Sequence, residues 1–64
     1  MKITKREKDI LQILFKDRNL SNKEIAWELG IKPETIKMHL GNLNKKLNTK
    51  TRFEILEALD GKEF

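Results

Sequence analysis

The chain has no cysteine, one proline, one histidine and three glycines in 64 residues. Without cysteine, no disulfide can staple a core this small, which is compatible with a reducing compartment. His39 stands alone, with no neighbouring set of Cys, His or acidic ligands, so no metal site and no cofactor are expected. The glycines are too scattered to form a phosphate-cradling loop. No nucleophile, base and orienter come together, so an enzyme is not expected. No apolar run exceeds three residues, Ile13-Leu14-Phe15 being one of them. A membrane span needs roughly 20, and no apolar signal-peptide core follows Met1. Repeats, low-complexity tracts and linkers are also missing. A chain of this length cannot hold two cores, so residues 1–64 are expected to form one soluble cytoplasmic domain.

Charge is abundant and uneven. The formal net charge is +4. Residues 32–52 hold Lys32, Lys37, Lys45, Lys46, Lys50 and Arg52 against Glu34 alone, a local net charge of +5. Residues 53–64 hold Lys62 against Glu54, Glu57, Asp60 and Glu63, a net −3. One segment is therefore suited to meet a polyanion, and the tail is not.

Helix starts are written three times, as Thr4…Glu7, Ser21…Glu24 and Thr51…Glu54. This is the capping-box spacing, in which the hydroxyl accepts from the N3 amide and the carboxylate accepts from the N-cap amide. Pro33 marks a fourth start, because its fixed φ and missing N–H suit a first helical position. The stops are a polar break at 16–19, Gly30, Asn48 and Gly61. The expected architecture is all-α, with four short helices at about 5–17, 22–29, 33–47 and 52–60. Leu20 and Ile25 flank the second start at hydrophobic-staple spacing.

The face of each helix follows from a rotation of about 100° per residue. Ile10, Leu11, Ile13 and Leu14 form the apolar arc of the first helix. Glu7 points into the same arc, and capping plus a structural ion pair explains it. In helix 33–47, Ile36, Leu40, Leu43 and Leu47 form one narrow stripe. Glu34, Lys37, Met38, Gly41, Asn42 and Lys45 lie opposite, with Thr35, His39 and Lys46 along one flank. Trp27 lies about 160° from Leu29, which leaves two uses: packing over the link after the first helix, or a contact with another domain or subunit. In the last helix, Ile55 and Leu59 fit a core-facing pair, and Phe53 with Leu56 a neighbouring face.

The second and third helices, joined by a three-residue turn, form a helix-turn-helix. Ala26 is small where the helices cross, Gly30 turns the chain, and Ile25, Leu29, Ile31 and Ile36 fill the angle. A helix of this size fits the major groove of B-DNA with its N-terminal turns at the base edges. On that basis Lys37, Met38 and Asn42 are candidate base readers. Asn22, Lys23, Thr35, Lys45 and Lys46 are candidate phosphate contacts, which position without reading sequence. Arg52 is a candidate for phosphate or for a structural ion pair with Glu7.

The stretches Thr4-Lys5-Arg6-Glu7, Leu20-Ser21-Asn22-Lys23-Glu24-Ile25-Ala26, Thr35-Ile36-Lys37-Met38-His39-Leu40, Lys45-Lys46-Leu47 and Arg52 together resemble the DNA-binding domain of the LuxR/GerE family of bacterial transcription regulators, some of them response regulators. The resemblance covers roughly residues 3–60. It implies sequence-specific binding of double-stranded DNA through helix 33–47, with the fourth helix supplying a dimer contact. Phe53 and Leu56 are the candidates for that contact, which is expected to be weak and to form on DNA. RNA polymerase and a regulatory domain are further partners compatible with the resemblance. The chain departs from the family pattern in a longer, glycine-free link before Leu20, in Lys32 where a Ser cap is usual, in Asn48 where Gly is usual, and in Gly41 where many relatives have a polar side chain that can touch bases. A promoter-recognising region of a sigma factor and a helical protein-interaction module are the alternatives. The matching ends of the chain argue against the first, and the cationic face against the second.

Overall fold

The computed structural model describes residues 2–62, so Met1, Glu63 and Phe64, at the ends of the expected 1–64 domain, lie outside the described residues. Four helices follow one another: α1 (Lys5–Lys16), α2 (Asn22–Leu29), α3 (Pro33–Leu47) and α4 (Arg52–Leu59). All three capping boxes form with both halves made. At α1, Thr4 N–H donates to Glu7 Oε1 at 2.8 Å and Glu7 N–H donates to Thr4 Oγ1 at 3.2 Å. At α3 the N-cap Lys32 makes no side-chain capping bond, and Pro33 occupies the first turn in its place.

The helix stops follow from backbone freedom. Gly30 ends α2 at φ 69° and Asn48 ends α3 at φ 56°, both left-handed. Ile31 N–H then reaches back to Ala26 O at 3.0 Å, and Thr49 N–H to Asn44 O at 2.9 Å, closing the two ends in Schellman fashion. Two helices stop one residue earlier than their sequence suggests. Asp17 leaves α1 because its backbone is extended and its carboxylate accepts from Asn19 N–H at 3.0 Å. Asp60 is likewise extended, ahead of the left-handed Gly61.

The core is a single cluster. It contains Ile10, Leu11 and Leu14 of α1, Ile25 and Ala26 of α2, Ile36, Leu40 and Leu43 of α3, and Ile55, Leu56 and Leu59 of α4. α3 packs against each of the other helices, most extensively against α2. It is thus held along its whole inner stripe, and fully burying each such aliphatic side chain contributes about 1.5–3 kcal/mol. Among the described residues, no helix is long and apolar enough to cross a membrane.

Leu56 corrects an expectation. It is 1% exposed and belongs to the core, so it is not available as a dimer surface. Position 56 lies about 60° from Leu59 and about 100° from Ile55 around the helix. A short helix wedged against both α1 and α3 buries that whole arc. Phe53 remains 44% exposed.

Candidate nucleic-acid interface

The interface is built on the α2–turn–α3 unit. Ile25 and Ile36 are fully buried and Ala26 is 1% exposed, so α3 is fixed against α2 at the small residue. With its inner stripe buried, α3 turns Glu34, Lys37, Met38, Gly41, Asn42 and Lys45 outward, all exposed. The three candidate base readers, Lys37, Met38 and Asn42, therefore share one open face. Thr35 and His39 are half-buried at its edge. Among the described residues, the His39 side chain makes no hydrogen bond, and no group of acidic, His or Cys residues could hold a metal ion. Lys23 is exposed on α2, one residue after the half-buried Asn22.

Both Lys46 and Arg52, two of the cationic candidates for phosphate contact, are engaged inside the protein. Lys46 Nζ donates to Glu7 Oε1 at 2.7 Å, across 39 residues of chain. Burial opposes ionisation of Glu7. The bond from Lys46, the amide and hydroxyl of Thr4 and the nearby ammonium charge outweigh it, holding the carboxyl below its ordinary value. The exposed Glu24 is also lowered, by hydrogen bonds from the Ser21 amide and hydroxyl.

Arg52 does not pair with Glu7. Its guanidinium donates to the carbonyl of Leu20, to Oδ1 of Asn22 and, at 3.5 Å, to the carbonyl of Arg18. It thus ties the first turn of α4 to the loop that delivers α2. The same bond occupies the Asn22 oxygen and leaves its amide nitrogen pointing elsewhere as a donor.

Two surface depressions flank the unit. One, about 330 Å³, runs between α3 and the start of α4, and is lined by Lys37, Gly41, Asn44, Lys50 and Arg52 among others. Lys50 enters here although the sequence places it only in the cationic segment and not among the candidate contacts. It is far from Lys37 along the chain, and the tight α3–α4 link alone brings it alongside. The other depression, about 400 Å³ and mostly apolar, lies on the outer side of α2 between Leu20, Lys23, Glu24, Trp27 and Glu28. Trp27 is 85% exposed and so does not pack over the link.

These features define a helix-turn-helix domain with a cationic, outward-turned second helix. The family model for bacterial regulatory proteins of the luxR family matches residues 1–58, and the chain belongs to that family. It is similar to the nitrate/nitrite response regulator protein NarP of Escherichia coli, 46% identical over 50 residues, covering 78% of this chain and 22% of NarP. The spore germination protein GerE of Bacillus subtilis is 37% identical over 57 residues, covering 89% of this chain and 74% of GerE. The transcriptional regulatory protein UhpA of E. coli is 38% identical over 57 residues, covering 89% of this chain and 28% of UhpA. The chain thus spans less than a third of NarP and UhpA and most of GerE. No solved structure matches the chain.

Proposed function

We propose that this chain binds double-stranded DNA in a sequence-specific manner for transcription regulation, with α3 in the major groove. The observation that carries this is the division of α3 into a buried apolar stripe and an open face bearing Lys37, Met38, Asn42 and Lys45. A helix held from behind by three others presents its side chains to the groove without having to order itself on binding. Lys37 meets guanine acceptors, Met38 a thymine methyl, and Asn42 an adenine edge. Lys23, Lys45, Thr35 and the Asn22 amide meet phosphates. Lys46 and Arg52 serve the fold first and add their charge to the field.

The chain acts as a binding module and not as an enzyme, in the cytoplasm, where bacterial DNA lies. RNA polymerase and a regulatory domain are its protein partners on this reading, which is supported by relatives named as response and transcriptional regulators. Two copies meet on DNA through Phe53, weakly, since the patch falls far below the roughly 1,200 Å² of a stable interface.

The test is the salt dependence of binding to a duplex selected from a random pool. With Lys46 and Arg52 engaged internally, about three to four phosphates are neutralised per monomer, giving a slope of log K against log salt of roughly −3 to −4. A flat dependence would remove the DNA-binding function and favour a protein-interaction module.

A further inference from the structure

Gly41 is a local contradiction. It sits in the middle of α3, where glycine is the least favourable residue after proline. The usual reasons for a glycine are missing. Its backbone is not left-handed, unlike Gly30 and Gly61. A Cβ added to it would meet nothing within 4 Å. Nothing among the described residues demands it, and a local rule broken without structural gain is a mark of function.

What the missing side chain creates is a notch. Gly41 forms its floor, Lys37 and Asn44 stand one turn to either side on α3, and Lys50 and Arg52 face them from the start of α4. The charge is one-sided, with three cations. No carboxylate lines it, and that of Glu54, in the first turn of α4, accepts from the amides of Lys50 and Thr51 at 2.8 and 3.1 Å. Those amides are therefore satisfied, and the positive field comes from side chains. Arg52 is fixed by Leu20 and Asn22 and supplies a stationary charge. The ammonium groups of Lys37 and Lys50 have no ion pair among the described residues.

We infer that a backbone phosphate of bound DNA seats in this notch, against the α3 backbone at Gly41. Lys50 holds it, the Arg52 charge lies behind it, and the aliphatic stem of Lys37 walls it while the Lys37 head reaches the base edges. This rests on the DNA-binding function proposed above. A phosphate fits better than a base because every charged group lining the notch is a cation and the notch lies on the flank of α3 that faces α4, away from Met38 and Lys45. The glycine lets the strand approach by the depth of a side chain, and the helix carries the stability loss. The phosphate contact also places Lys50 in the binding surface.

The sign of the consequence is unusual: the better helix former should bind worse. Gly41→Ala is expected to raise the melting temperature and to weaken binding by about fivefold or more, equally on the selected duplex and on random duplex. Lys50→Ala should weaken both duplexes alike and reduce the salt slope by about one. The double variant should lose less than the sum of the two, because both act on one phosphate. Unchanged or tighter binding by Gly41→Ala overturns the inference. So does a loss confined to the selected duplex, which would put a base in the notch, and so does an unaltered slope in Lys50→Ala. If the unsubstituted protein binds no duplex, the DNA-binding function itself falls, and that result appears before any variant is made.

Discussion

Lys46 and Lys37 lie on opposite flanks of the same helix, nine residues apart in a segment where nearly every charge is positive. Lys46 faces α1 and reaches the buried Glu7 at 2.7 Å, closing a part-buried polar contact at the core wall. Lys37 faces the groove between α3 and α4 and has no ion pair among the described residues. The two residues are chemically identical, and what each does is set by the element standing opposite. A count of lysines on α3 therefore overstates the charge left open to a polyanion. The charges available to a polyanion are those left after the fold has taken its share.

The largest expected effect tests the structural half of that contrast. Lys46→Ala leaves the Glu7 carboxylate, 1% exposed, with only the Thr4 groups as partners. It should lower stability by about 2–3 kcal/mol in urea titration, whereas Lys37→Ala should leave the denaturation midpoint unchanged. A Lys46→Ala protein of full stability with uniformly weakened DNA binding would make the two flanks equivalent.

The next effect is on the binding half. Lys37→Ala should cost about 1–3 kcal/mol on the preferred site and relax the choice of base at one position. Equal loss on selected and random duplexes would show that Lys37 only positions.

Acid gives a smaller and graded test. The folded-state value of Glu7 is lowered from 4.5, so its contribution to stability is complete above that value and is lost as pH falls through the lower folded value. Glu24 acts in the same direction. Urea midpoints should fall on acidification below the ordinary carboxylate range. In Lys46→Ala the Glu7 part of that fall should be reduced or reversed, because burial, which favours the protonated form, is then opposed only by the Thr4 bonds. An acid response identical in both proteins would show that the pair does not set the Glu7 ionisation.

The smallest effect concerns α4, the acidic counterpart of α3. Phe53→Asp should remove cooperative binding to half-sites about 10 bp apart and leave half-site affinity unchanged. With Leu56 inside the core, the coupling to be lost is about 1 kcal/mol or less. Unaltered cooperativity in gel-shift titrations would take Phe53 out of the contact.

Much of this architecture was legible along the chain. Three helix starts could be placed to the residue from Thr4, Ser21 and Thr51, each with Glu three positions on, because a capping box is closed entirely within four residues. Gly30, Asn48 and Pro33 were equally readable, since each sets its own backbone angles. The stripe Ile36, Leu40, Leu43 and Leu47 fixed which side of α3 turns inward, and so exposed Lys37, Met38 and Asn42 in advance. The sequence by itself thus determined the four helices, their order, the helix-turn-helix and the outward face of α3.

Tertiary structure decided the partners. The ion pair expected for Glu7 is with Arg52, and the fold gives it Lys46 instead. The choice depends on which flank of α3 rests against α1 and where the first turn of α4 comes down. That same docking gave Arg52 the carbonyl of Leu20 and the oxygen of Asn22, took Leu56 into the core, and brought Lys50 beside Gly41. Helix periodicity fixes the angle of a side chain about its own axis. It carries no information on the rotation and tilt of one helix against another, which are set by how the aliphatic side chains of all four helices fill a single core.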